Sequence, residues 1–80
     1  MSAARLAPAV VEIHGMIMHV DEVHVWYDST PDSAAWVVSL MDGDTDETYS
    51  THCEERHAVD CGRMLAERLG VSCARIGGAL

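Results

Sequence analysis

Residues 23–40, VHVWYDSTPDSAAWVVSL, decide the fold because they contain two strands and the turn that joins them. The strands are His24–Tyr27 and Trp36–Leu40, which are rich in β-branched and aromatic side chains. Thr30–Ser33 has turn chemistry, since proline presets the bend while aspartate and serine bond back to the backbone. The stretch therefore predicts an antiparallel hairpin.

The register of this hairpin follows from its large apolar residues. When Ser29 pairs with Ala34, six of them share one face: Tyr27 opposite Trp36, Val25 opposite Val38, and Val23 opposite Leu40. The other face then carries His24 opposite Ser39, Trp26 opposite Val37, and Asp28 opposite Ala35. A slip of one residue would move the apolar set to the other face, so the pattern favours this register.

A helix is predicted from about residue 52 to 69. Thr51-His52-Cys53-Glu54 matches a capping box before the helix, and Gly70 supplies a left-handed stop after it. One apolar stripe consists of Ala58, Cys61, Leu65 and Leu69. The opposite face carries Arg56, Asp60, Arg63 and Glu67.

The remaining segments predict further strands. Residues 10–20 form an early strand bent at Gly15, and Asp21-Glu22 closes a tight turn after it. The turn at 42–46 leads into a short strand near 47–50, whose register stays open. Residues 71–76 predict a last strand. The fold class is α+β: an antiparallel sheet of four to five strands in the order β-β-β-β-α-β, with one helix on one face.

The length of 80 residues fits a single domain spanning 1–80, with residues 1–9 as a candidate disordered segment. Its charge is the most informative bulk property. Thirteen acids and five arginines give a net charge of −8, and residues 21–60 alone reach −10 with eleven acids and one arginine. This excludes direct nucleic-acid binding as the expected function, because phosphate recognition needs clustered lysine and arginine.

The three cysteines are irregularly placed and cannot all pair with one another. A reducing, cytoplasmic setting is the simpler expectation. The N-terminal stretch is a poor signal peptide, since Pro8 and Glu12 interrupt it, and no apolar run is long enough for a membrane span. We therefore expect no membrane partner.

Two patterns resemble metal sites. Cys53, His57 and Cys61 follow helical spacing and offer zinc ligands. A structural zinc ion, however, is usually bound by four ligands from two segments. Asp42, Asp44 and Asp46 alternate like the start of a calcium loop, which then fails because Glu47 replaces the required glycine. No cofactor or metal is expected.

Enzymatic activity is not expected either. The five histidines and the many carboxylates match no spacing of a nucleophile or an acid–base pair. A chain of this length rarely encloses a substrate pocket.

The acidic segment predicts a protein-binding surface. Its candidate residues lie in turns, at strand ends and at the helix start: Asp28, Asp32, Asp42, Asp44, Asp46, Glu47, Glu54 and Glu55. Alternate strand residues lie roughly 6.7 Å apart on one face, of the same order as charge spacing along nucleic acid. Trp26 on the face away from the apolar set is a candidate anchor, unless the segment with Met16, Ile17 and Met18 folds over it. Acidity for solubility alone is the other interpretation.

In size, charge and element order the whole chain resembles phage-encoded anti-CRISPR proteins. The resemblance is carried by the tip at residues 42–47, Asp28, Asp32 and the Glu54-Glu55 pair, and by no signature motif. It implies a DNA mimic that binds a basic surface of a type I CRISPR surveillance complex subunit and blocks target DNA. The alternatives are a metal-binding or redox-responsive module using Cys53, His57 and Cys61, and a self-associating accessory domain that forms a homodimer.

Overall fold

The computed structural model describes residues 9–30 and 34–77, which form six strands and one helix. In chain order these are β1 (Ala9–Ile13), β2 (Met16–Val20), β3 (Glu22–Asp28), β4 (Ala35–Asp42), β5 (Thr45–His52), α1 (Glu55–Leu69) and β6 (Ser72–Arg75). β1 and β2 form a two-stranded sheet, and the main sheet has the order β5-β4-β3-β6. The predicted α+β class, with one helix packed on the sheet, is confirmed.

The central hairpin has the predicted register. Tyr27 pairs with Trp36, Val25 with Val38 and Val23 with Leu40. The four inner members of this set are fully buried, whereas Trp36 is half-buried and Tyr27 is 48% exposed at the end of the sheet. The apolar face is therefore the core face, and its side chains become more exposed toward the Tyr27–Trp36 end.

The helix approaches this face closely because small residues line its inner side. Its buried residues are Ala58, Gly62 and Ala66. A Cβ atom on Gly62 would lie 2.7 Å from Val25 Cγ2 and 3.2 Å from Cys73 Sγ. Only glycine permits that approach without displacing a buried side chain. Ala58 of the predicted apolar stripe lies on this line, and the other stripe residues, Cys61, Leu65 and Leu69, are half-buried beside it.

The predicted helix start is wrong. Thr51 and His52 belong to β5, α1 begins at Glu55, and its N-cap Glu54 makes no side-chain capping hydrogen bond. β5 pairs with β4 as far as His52, so the strand extends into the first half of the segment that resembles a capping box. The predicted stop is confirmed, because Gly70 is left-handed and its N–H bonds back to the last turn.

The N-terminal strand is a hairpin rather than one bent strand. β1 and β2 pair antiparallel around a turn at His14 and Gly15, both of which have positive φ. Met18 and Val20 are buried in the same core cluster as Val23 and Leu40. Asp21 does not close a turn: it alone separates β2 from β3, and its N–H donates to the Met41 carbonyl.

Two further differences concern strand pairing. β6 runs parallel to β3, so the sheet is mixed rather than wholly antiparallel. α1 carries the chain from the β5 edge to the β6 edge, which makes this parallel pairing possible. β5 has a register shift opposite Val38 and Ser39, and Tyr49 at this irregularity is 45% exposed.

Some predictions fall on parts of the chain outside the described residues. These are most of the candidate disordered segment (1–8) and the turn residues 31–33, including Asp32. Ala9, the last residue of that segment, is buried in β1. Among the described residues, no helix is long and apolar enough to cross a membrane.

Candidate functional site: two groups of carboxylates

Five carboxylates meet where the β4–β5 hairpin turns, and we name this group the acidic tip. It consists of Asp21, Asp42, Asp44, Asp46 and Glu47. Asp42 closes β4 opposite Thr45, and Asp46 pairs with Met41 on the adjacent strand. Asp44 lies in the turn itself. The short hairpin connection thus brings the residues of the predicted tip together.

Asp21 joins the acidic tip through a hydrogen bond. The Gly43 N–H donates to Asp21 Oδ2 at 2.8 Å. Gly43 has a φ of 59°, which favours glycine, and the carboxylate fixes the turn by accepting its amide proton. Sequence analysis placed Asp21 in the acidic segment without assigning it to the tip, because this contact joins residues 22 positions apart.

The other tip carboxylates lack a cationic partner among the residues that the structure describes. Within residues 9–30 and 34–77, none of Asp42, Asp44, Asp46 and Glu47 forms an ion pair. Asp44 and Asp46 are exposed, and Asp42 and Glu47 are half-buried. The described residues therefore do not neutralise the negative charge at this end, and Asp44 and Asp46 present it to solvent.

Three predicted site residues lie elsewhere, and we name them the paired end: Asp28, Glu54 and Glu55. Asp28 Oδ1 accepts the Thr30 N–H at 3.0 Å. Glu54 forms an ion pair with Arg56 at 3.0 Å, and Glu55 contacts Arg75 Nε. Each carboxylate at this end already has a partner within the chain.

Arg75 anchors the paired end to the sheet. Its guanidinium carbon lies 5.0 Å from the centroid of the Trp36 ring, a cation–π distance. The Trp36 ring in turn lies 5.1 Å from that of Tyr27. Arg75 is mostly buried, with a side-chain exposure of 20%. Its contact with Glu55 therefore ties the start of α1 to the end of β6.

The predicted site residues do not form one surface. Asp28 and Asp42 end strands that run in opposite directions, so they lie at opposite ends of the sheet. The eight residues of β4 separate these ends by roughly 23 Å. The acidic tip and the paired end are two distinct groups.

Trp26 is half-buried and has a hydrogen-bond partner within the chain. Its Nε1–H donates to Ser39 Oγ at 2.9 Å, and it pairs with Val37 on the face away from α1. Of the residues expected to cover it, Met18 is buried in the core cluster, whereas Met16 is 43% exposed and Ile17 is 65% exposed. Trp26 belongs to neither carboxylate group.

The cysteine–histidine set does not converge on a metal site. Cys53 and His57 are exposed, whereas Cys61 is half-buried. Among the described residues, no group of three or more histidine, cysteine, aspartate or glutamate side chains is placed to hold a metal ion.

A polar cluster between β5 and α1 was not predicted from the sequence. Ser50 Oγ lies 2.9 Å from His52 Nε2 and 3.5 Å from Cys61 Sγ. Ser50 and His52 share the helix-facing side of β5 because they are two residues apart in a strand. The two-residue spacing of Ser50 and His52 is the sequence signal for this cluster. The prediction that His52 begins the helix obscured it.

The third cysteine has a different environment. Cys73 lies half-buried beneath Gly62. Burial raises the pKa of its thiol above the ordinary value of 9.0; Arg63 opposes this shift and Glu22 adds to it.

The chain matches no known protein family, no curated protein and no solved structure.

Proposed function

We propose that this protein is a non-catalytic binding protein that uses its acidic tip to occupy a basic, nucleic-acid-binding surface of another protein. In its specific form, the partner is a subunit of a type I CRISPR surveillance complex in the bacterial cytoplasm. The protein then acts as a DNA mimic and excludes target DNA. The resemblance to anti-CRISPR proteins motivates this choice of partner.

One observation carries the proposal: the tip carboxylates have no ion pair within the described part of the chain. An ion pair inside the chain would have to be broken before a partner's arginine or lysine could take its place. Unpaired carboxylates need no such exchange, and their field steers an oppositely charged partner toward them.

The placement of these carboxylates also supports the proposal. Asp42 and Asp46 lie on neighbouring strands and Asp44 lies between them in the turn, so the charges project from one narrow end. A narrow, charged end enters a groove shaped for a nucleic-acid strand more readily than a flat face does. Binding of this kind weakens as salt rises.

The experiment measures binding to a purified type I surveillance complex, and the competition with its target DNA, at low and high salt. The test variant carries Asp42→Asn, Asp44→Asn and Asp46→Asn. A matched control carries Glu12→Gln, Asp60→Asn and Glu67→Gln, which removes the same charge from exposed positions elsewhere. We expect the tip variant to lose at least about tenfold in affinity and the control about threefold or less.

Two outcomes would contradict the proposal. Absence of any complex at low salt would reject the surveillance complex as the partner. Equal losses in the two triple variants would show that net charge, rather than the acidic tip, determines binding.

A further inference from the structure

The cluster of Ser50, His52 and Cys61 links a thiol to a base. When His52 Nε2 carries no proton, the Ser50 hydroxyl donates to it and accepts from the Cys61 thiol. The Oγ–Nε2 distance of 2.9 Å and the Oγ–Sγ distance of 3.5 Å allow both hydrogen bonds. A proton leaving Cys61 therefore has a path to an imidazole.

Cys61 also lines a groove of about 240 Å³ together with Tyr49, Met64, Leu65 and Arg68. Tyr49 is 45% exposed and Met64 is 61% exposed, so the groove is open to solvent. Arg68 is the charged residue in this lining, and it forms no ion pair within the described residues. The groove thus combines a thiol, apolar walls and an available cation.

We propose that Cys61 is a modification site that undergoes thiol–disulfide exchange with small anionic disulfides, held by the apolar walls and by Arg68. The Cys61 proton passes through Ser50 Oγ to His52 Nε2, and Sγ attacks one sulfur of the disulfide. A new S–S bond forms as the original one breaks, so Cys61 is oxidised and the disulfide is reduced. The leaving thiolate keeps the electron pair and takes the proton from His52.

The other cysteines serve as internal references. Cys53 is exposed and represents an accessible thiol outside the groove, whereas Cys73 is packed beneath Gly62. Cleavage after arginine separates all three, since Arg56 lies between Cys53 and Cys61, and Arg63 between Cys61 and Cys73. Peptide mass spectrometry therefore gives a rate for each cysteine in one sample.

The first experiment treats the folded protein near neutral pH with oxidised glutathione, an anionic disulfide, and with hydroxyethyl disulfide, a neutral one. We expect Cys61 to form the mixed disulfide with glutathione at least about tenfold faster than Cys53. Arg68→Gln should slow the glutathione reaction about threefold and leave the neutral probe unaffected. Arg63→Gln, another exposed arginine of α1 outside the groove lining, should change neither rate at Cys61.

The second experiment tests the proton path with Ser50→Ala and His52→Gln, using hydroxyethyl disulfide. Each variant should lower the rate of mixed-disulfide formation at Cys61 about tenfold near neutral pH. The difference should vanish near pH 10, where a thiol ionises without a base. If Ser50 and His52 had only a structural role, the rate difference would instead persist at every pH. The charged and titratable groups near Cys61 include His52 and Tyr49 of β5, Arg68 of α1, and His57 one turn earlier in α1.

Three results would overturn the proposal. The first is a Cys61 rate no higher than that of Cys53 in the unmodified protein. The second is an unchanged glutathione rate in Arg68→Gln. The third is a Ser50 or His52 effect of the same size at both pH values.

Discussion

The two ends of the main sheet both carry clustered carboxylates but differ in what those carboxylates contact. At the paired end, Glu54 and Glu55 each contact an arginine, and Asp28 accepts a backbone N–H. At the acidic tip, Asp21 accepts one N–H, and the other four carboxylates have no ion pair in the described chain. The carboxylates at the paired end have partners within the chain, whereas most of those at the acidic tip lack an ion-pair partner among the described residues.

The comparison shows that the number of acidic residues in a segment does not determine how much unpaired negative charge the surface presents. Glu54 and Glu55 carry the same formal charge as Asp44 and Asp46, yet their arginine partners offset much of their field. Only the pairing separates a structural carboxylate from a candidate binding carboxylate. Substitutions at the two ends should therefore have different effects on stability.

The largest stability effect is expected for Glu55→Gln. Removing this carboxylate leaves the mostly buried Arg75 without its counter-charge. Because Glu55 is itself 45% exposed, we expect a loss of about 1–2 kcal/mol in the free energy of unfolding, measured by urea denaturation. Glu54→Gln is the matched control, since both members of its pair are exposed, and it should cost about 0–0.5 kcal/mol. Equal costs would remove the distinction between a stabilising pair and a surface pair.

An intermediate effect is expected for Asp21→Ala at the acidic tip. Its carboxylate accepts the Gly43 N–H, so its removal should cost about 1 kcal/mol of unfolding free energy. Asp46→Ala removes an exposed tip carboxylate that makes no side-chain hydrogen bond to the described residues, so it should cost little or slightly stabilise the protein at low salt. A similar loss in both variants would show that Asp21 has no special role in holding the turn.

The smallest effect concerns Cys73, whose thiol lies near charges of both signs. Since its folded-state pKa is raised, the unfolded chain releases the thiol proton at a lower pH than the folded chain does. The stability contribution is complete below the ordinary thiol pKa of 9.0 and is lost as pH rises through the raised value. Denaturation midpoints of the wild type should therefore fall more between about pH 8 and about pH 10 than those of Cys73→Ala. The same slope in both proteins would contradict this assignment.

The parts of the fold that sequence analysis predicted correctly depend on local alternation. The register of the central hairpin followed from Val23, Val25, Val38 and Leu40, because only one pairing places them all on the core face. Gly70 marked the end of α1 for an equally local reason, since it can adopt the left-handed conformation. These features need no knowledge of the rest of the chain.

The features that were predicted wrongly or not at all depend on contacts between distant segments. The Thr51–Glu54 pattern fits a helix start locally, but pairing with β4 keeps Thr51 and His52 in a strand. Gly62 and Ala66 were overlooked because small residues reveal a close helix–sheet contact only when the opposite surface is known. The division of the site into two ends likewise follows from the directions of the strands, and the positions of the acidic residues in the sequence do not reveal those directions.

The position of β6 has a consequence for how the molecule assembles. Its Ser72 bonds to Glu22, 50 residues earlier, and it supplies the last neighbour of β3. Until that strand docks, β3 exposes an unpaired edge beside Val23 and Val25, the kind of surface on which chains aggregate. Because closing so long a loop costs entropy before its contacts form, we expect β6 to join the sheet after the central hairpin, and we expect loss of β6 to favour association over folding.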